Sequence, residues 1–178
     1  MFIEHALAIN DVLVAVTLAC QEYGFELETW QGENQIKADY DRVRAVTSTG
    51  RRKSVPVVPD SYFTLIAHER RHHFFLELDR GTMTIERFKN KIAGYIAYHR
   101  SGKYEERYGT RSLRVLSITT SSSRVERLKQ GAEDIKGQRR FWFACLDDIK
   151  PEAVLTAPIW QVATEDGLRA LIESAESQ

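Results

Sequence analysis

Two cysteines in 178 residues are too few for a disulfide framework, and Cys20 and Cys145 offer no metal-ligand spacing. Both read as reduced core residues, one in a helix-like and one in a strand-like stretch, which argues against redox chemistry. Long apolar runs are missing too. Nothing approaches the roughly 20 consecutive apolar residues that span a bilayer, and MFIEHALAIND at the N-terminus lacks the basic-then-apolar layout of a secretory signal. A cytoplasmic protein without a membrane partner is expected. The chain also has no glycine-rich nucleotide loop, no serine-nucleophile motif, no internal repeat and no low-complexity tract. What remains has the length and apolar fraction of an ordinary globular chain, expected to form a single domain over residues 1–178.

Net charge is absent as well, formally zero, but only as an average over segments of opposite sign. From Arg42 to Arg140 there are 22 Lys or Arg against 10 Asp or Glu, whereas the two ends together hold 3 against 15. Such asymmetry is a cue for a face that binds a polyanion, DNA in particular, unless the acidic ends fold back and cancel it.

Apolar positions at Val12, Leu13, Val16, Ala19, Cys20 and Tyr23 predict a helix capped by Asn10 or Asp11 and stopped by Gly24. Phe25 to Trp30 alternates as a short strand, and the polar stretch 31–54 reads as a loop or small insertion. Val55 to Ile66 and Phe74 to Asp79 predict two antiparallel strands, with His68 to His73 as the connection. Thr82 or Thr84 then caps a helix with Ile85, Phe88, Ile92, Tyr95, Ile96 and His99 on one stripe, ending near Ser101-Gly102. A strand over Leu113 to Thr119, a helix over Arg124 to Ile135 and a strand over Phe141 to Leu146 follow. Residues 150–178 read as a tail packed on the core, with a short helix from Glu165 to Glu173. The order predicts an α/β fold: a central mixed sheet flanked by helices.

In Phe74-Phe75-Leu76-Glu77-Leu78-Asp79 the strand period puts Phe75, Glu77 and Asp79 on one face, with the two carboxylates about 7 Å apart along the strand. Asp60, on the preceding strand, would lie within about 5 to 10 Å, depending on register. Three carboxylates that close repel unless a cation sits among them, and hard oxygen ligands suit Mg²⁺ or Mn²⁺; the alternative is a solvated face paired with arginines. Lys91 lies beside the apolar stripe of the next helix, with Phe88 and Tyr95 at i−3 and i+4, from where its ammonium can reach the carboxylates or simply border the helix.

Pro59-Asp60, then Phe75-Leu76-Glu77-Leu78-Asp79-Arg80-Gly81-Thr82, then Lys91 and Tyr95, resemble the replication-relaxation family of plasmid and mobile-element proteins. His5 with Asn10-Asp11, Trp30 and Glu33, Arg124 and Trp160 extend the resemblance over most of the chain. That family in turn resembles the PD-(D/E)XK, or restriction-endonuclease-like, nuclease superfamily with its αβββαβ core. The resemblance implies a DNA-acting protein of plasmid replication or relaxation, a Mg²⁺-dependent endonuclease with Asp60 and Glu77 as metal ligands. Asp79 would be a third ligand or orienter and Lys91 the catalytic amine. Asp79 stands where the superfamily has its lysine, so the same fold without cleavage, as a DNA-binding accessory protein, is the alternative. Family members also commonly carry a winged-helix DNA-binding region, so such a domain, a winged-helix partner or a homodimer is a further expectation.

His68-Glu69-Arg70-Arg71-His72 matches H-E-x-x-H, the zinc-peptidase pattern, but that chemistry needs both histidines on one helix face and the motif lies between two strand-like runs. A basic loop touching DNA phosphate is the competing reading, and Arg70, Arg71, Arg80, Arg124 and Arg127 are the candidate DNA contacts. Ser121 to Ser123 read either as a phosphate site at a helix start or as a plain N-cap. Trp142 and Trp160 read as packing aromatics.

Overall fold

The computed structural model describes residues 2–173. Helix α1 runs over Phe2–Tyr23, starting well before the expected cap. Asn10 and Asp11 are exposed on its outer face, so their side chains do not interrupt the ladder, and the alanines before them favour helix. Gly24, at φ +68°, ends it, with the Phe25 amide returning to the Cys20 carbonyl at 2.9 Å. The segment Ile3–Tyr23 has a mean hydropathy of 1.6 and is long and apolar enough to cross a membrane, contrary to the sequence reading. Here one stripe of it, Ala8, Val12, Ala15, Val16, Ala19 and Cys20, is buried in the core.

Strand β1 (Glu26–Gly32) follows. The stretch read as a loop or small insertion has its own elements: helix α2 (Glu33–Ala38) and a ribbon of β2 (Arg42–Val46) and β3 (Arg52–Pro56). Strands β4 (Ser61–Ala67) and β5 (Arg70–Asp79) are joined by His68 and Glu69 alone, at φ 50° and 62°. Two positive-φ residues make the tight turn whose twist suits a hairpin, so the expected long connection shrinks to two residues and the rest joins β5.

Helices α3 (Ile85–Arg100), capped by Thr84, and α4 (Lys103–Tyr108) lead to β6 (Arg114–Thr119). Helix α5 (Ser122–Asp134) leads to β7 (Phe141–Cys145). The expected last helix is absent from the described residues; β8 (Trp160–Val162) and β9 (Leu168–Arg169) stand there instead, around a turn with Thr164 and Gly167 at positive φ. The end of the expected tail, residues 174–178, lies outside the described range.

The sheet order is β1-β4-β5-β6-β7-β8-β9, antiparallel from β1 to β5, parallel from β5 to β7 and antiparallel again at the far edge. This is the mixed α/β architecture expected. On one face α1 and the segment around Val154, Leu155, Leu171 and Ile172 bury Phe63, Phe74, Leu76 and Leu78. On the other, α3, α5 and the ribbon bury Phe75, Val115, Phe141 and Phe143. The sheet changes from antiparallel to parallel pairing at β5, and the carboxylates of the sequence motif lie at the C-terminal end of that strand.

Candidate functional site

Ser61 pairs with Leu76 at the end of the β4–β5 ladder, and Asp60 stands just outside it, beside the C-terminal end of β5. The Asp60 amide donates to the Leu76 carbonyl at 3.0 Å, and Asp60 Oδ2 accepts the Leu78 amide at 2.8 Å. The aspartate is fastened to the end of β5 through both its backbone and its side chain. Its other oxygen, Oδ1, lies 3.4 Å from His5 Nε2, which comes over the sheet end from α1. Glu77 is reached from the opposite side. Lys91 Nζ donates to Glu77 Oε2, and the Tyr95 hydroxyl donates to Oε1. Lys91 and Tyr95 are one helical turn apart on α3, so the same face of that helix holds both oxygens.

Burial pushes the Glu77 carboxyl up to about 7, the Asp60 charge adding to it and the Lys91 ammonium opposing it. For Lys91 burial works against charge, but Glu77 and Asp60 outweigh it and the ammonium is held above its ordinary value. Burial alone would raise Asp60; the His5 hydrogen bond, the Lys91 charge and the Leu78 amide together hold it below its ordinary value. The hydrogen bond to Asp60 raises His5, against a smaller effect of burial. Two carboxyls, an ammonium and an imidazole therefore share one end of the sheet, which is the kind of arrangement that poises groups for proton transfer.

A cavity of about 610 Å³ opens over this end, lined among others by His5, Lys37, Asp60, Arg80, Arg87 and Lys91. Glu77 lies behind Lys91. Ser117, beside Glu77 in the parallel ladder, has a buried hydroxyl with no hydrogen-bond partner.

Asp79 lines the same cavity, but its carboxylate is bonded to groups other than His5, Lys91 and Tyr95. Its Oδ1 accepts the amides of Gly81 (3.0 Å) and Met83 (3.3 Å), and its Oδ2 accepts from Thr119 Oγ1 (3.2 Å) and Arg124 Nε (2.7 Å). Arg124 donates in turn to the Met83 carbonyl and is itself buried, 8 % exposed. Both residues are committed to shaping the loop between β5 and α3; Gly81 at φ +80° makes its turn. Among the described residues, no three His, Cys, Asp or Glu side chains are gathered closely enough to hold a metal ion. The three-carboxylate site is thus reduced to the pair Asp60 and Glu77. Two carboxylates are a donor set that Mg²⁺ accepts, because it keeps several waters and takes further oxygens from substrate phosphate.

The candidate DNA contacts scatter. Arg80 borders the cavity and pairs with Glu4 at 2.7 Å. Arg70 and Arg71 lie at the start of β5, nine residues before Asp79 and so roughly 30 Å from it. Arg71 grips both oxygens of Glu28. Arg127 is exposed on α5. Arg124, being buried, does not offer itself to a polyanion. His68 forms the tight turn and packs on Phe25, while His72 pairs with Leu65 on β5. The H-E-x-x-H motif therefore lies on a hairpin, without the helix its zinc chemistry requires, and the peptidase reading falls. Ser121 is an N-cap, its hydroxyl accepting from the Arg124 amide.

His5 and Tyr95 belong to the family resemblance, but their roles were hidden, because each comes from a helix distant in sequence from its carboxylate. Ser117 gave no signal, being one polar residue in an apolar strand. Residues 1–113 match the family described as replication-relaxation, well over half the chain. No curated protein and no solved structure matches.

Proposed function

The chain belongs to the replication-relaxation family, whose description points to replication or relaxation of plasmid or mobile-element DNA, and on that premise we propose that it is a Mg²⁺-dependent DNA phosphodiesterase. The observation that carries this reading is the buried Glu77–Lys91 pair beside Asp60 at the head of an open cavity. Support also comes from the succession α1, β1, β4, β5, α3, β6, which agrees with the αβββαβ order of restriction-endonuclease-like nucleases once α2, the ribbon and α4 are set aside.

In this reading Asp60 and Glu77 would hold a divalent cation, which would supply Lewis-acid charge at a phosphate. Lys91 lies between Glu77 and the cavity. With Glu77 committed to such a cation, the Lys91 ammonium would be free to offset charge developing on the phosphate oxygens. Tyr95 keeps the other Glu77 oxygen fixed, and His5, hydrogen-bonded to Asp60, is placed to carry a proton at the cavity wall.

A second reading is favoured by one observation: both Glu77 oxygens are occupied, by Lys91 and Tyr95. If that pair never opens, the fold binds DNA without cutting it. Incubation of the protein with supercoiled plasmid and Mg²⁺ or Mn²⁺ separates the two. Nicking is expected, and is expected to vanish with EDTA, with Glu77→Gln and with Lys91→Met. Intact plasmid accompanied by a salt-dependent mobility shift would select the accessory role, and cutting that survives Glu77→Gln would overturn the site.

A further inference from the structure

The cations of this molecule are unequally employed. Arg71, Arg80, Lys89, Lys91, Arg107, Arg111, Arg124 and Arg139 are each held by a carboxylate. The ribbon β2–β3 is different: between Asp41 and Asp60 the sequence has five Lys or Arg and no acid. Among the described residues Arg44, Arg51, Arg52 and Lys53 form no ion pair, and all four are exposed. Strand pairing gathers their charge. Arg42 faces Pro56, Arg44 faces Ser54 and Val46 faces Arg52, so Arg42, Arg44 and Arg52 project from one face while Val43, Ala45 and Val55 turn toward α3. Arg100, at the end of α3, meets Arg44 across a groove of about 480 Å³ whose floor includes Ile96, Ala97 and Ile135.

Unpaired charge on a floppy loop would be ordinary surface, but this ribbon is fixed at both ends. At its tip the Ser48 amide donates to Asn90 Oδ1 at 2.8 Å, and at its base Lys103 Nζ donates to the Arg42 carbonyl at 3.0 Å. Midway, Gly94 lets it lie close on α3, since a Cβ there would come within 3.2 Å of Val55 Cγ2. Asn90 is one helical turn beyond Arg87, which lines the carboxylate cavity, so the tip is anchored about one turn of α3 away from that cavity. From Arg100 back to Asn90 is ten residues of helix, or about 15 Å, a length that spans about four phosphates of one strand at 3.4 Å each.

We propose that the β2–β3 ribbon, with Arg100, is a duplex-DNA docking surface that holds the phosphate backbone and leads it to the Asp60–Glu77–Lys91 cavity. The ribbon acts through phosphate contacts, which position DNA without selecting sequence. The inference rests on the reading of the chain as DNA-acting.

The test is fluorescence anisotropy of labelled duplexes of two unrelated sequences, titrated between about 50 and 200 mM salt. Compared with wild type, Arg44→Gln/Arg52→Gln is expected to weaken binding to both sequences equally and to make the slope of log affinity against log salt shallower by about 2, near 0.9 for each lost phosphate contact. Arg51→Gln, at the tip, is expected to make the slope shallower by about half as much, independently of β2 packing. A control pair away from the groove, Lys150→Gln and Arg169→Gln at the β8–β9 edge of the sheet, removes the same formal charge and is expected to leave the slope unchanged. Wild-type binding with equal slopes in both ribbon variants would sink the ribbon and leave the DNA reading standing. An equal loss in the control pair would also overturn it, by tracing binding to overall charge. No salt-dependent binding by the wild type would defeat the DNA reading itself.

Discussion

Glu77 and Asp79 sit two residues apart on one strand and point to the same face, yet their surroundings make them opposites. Asp79 accepts four hydrogen bonds: from two loop amides, a β6 hydroxyl and a buried guanidinium. Glu77 accepts from a lysine that borders an open cavity and from a tyrosine. A carboxylate satisfied by rigid donors is structural. One neutralised by a long side chain at the edge of a cavity is, in the proposed reading, the one that exchanges its partner.

The sharpest way to break the comparison is to remove the rigid partner. Arg124→Met leaves Asp79 buried and short of its charge partner, and should cost about 3 to 5 kcal/mol, whereas adding Asp79→Asn should recover much of the loss. Urea unfolding of the single and double variants measures both quantities. A loss under about 1 kcal/mol in the single variant would mean that Asp79 does not depend on Arg124.

Glu77→Gln probes the other side. Because the folded protein holds a proton on this carboxyl up to about pH 7, against 4.5 in an unfolded chain, the native state binds more protons within that window. Stability therefore falls as pH rises from 4.5 toward 7, and the glutamine variant should lose that slope while remaining folded. Unfolding free energies measured across the window report it; an unchanged slope would place the titration elsewhere. Tyr95→Phe should have a smaller effect, about 1 to 2 kcal/mol, by leaving one buried oxygen of Glu77 without a donor. Equal stability to wild type would show that the hydroxyl is dispensable there.

The sheet itself was legible in the sequence because β4 to β7 are dense in branched and aromatic residues, and α3 because its stripe and its Thr84 cap agree. The ribbon was not. Its strands alternate arginine with small or branched residues and bury only one face against α3, so their polarity reads as loop. The C-terminal strands were missed because two or three residues are too few to show a period. In the site, strand alternation placed Glu77 and Asp79 on one face, and the helical position of Lys91 aimed it at the first of them, Glu77. It could not reveal that Arg124, from α5, would claim Asp79 first. That competition is decided by tertiary contacts between elements separated by 45 residues.

His5 is the smallest and most discriminating case, because it touches Asp60 without belonging to either strand of the motif. Its side chain is 30 % exposed and its contact with Asp60 long, so His5→Gln should cost less than about 1 kcal/mol of stability. The sign of its pH dependence is distinctive: raised above 6.5 in the folded state, the imidazole adds stability that is present below pH 6.5 and is lost as pH rises through its folded value. Should His5 carry a proton in the reaction, the variant's nicking rate would lose one limb of its pH profile while plasmid affinity stayed level. Should it only steady Asp60, the profile would keep its shape and the rate would fall evenly across it, leaving Asp60, Glu77 and Lys91 as the groups that face the phosphate.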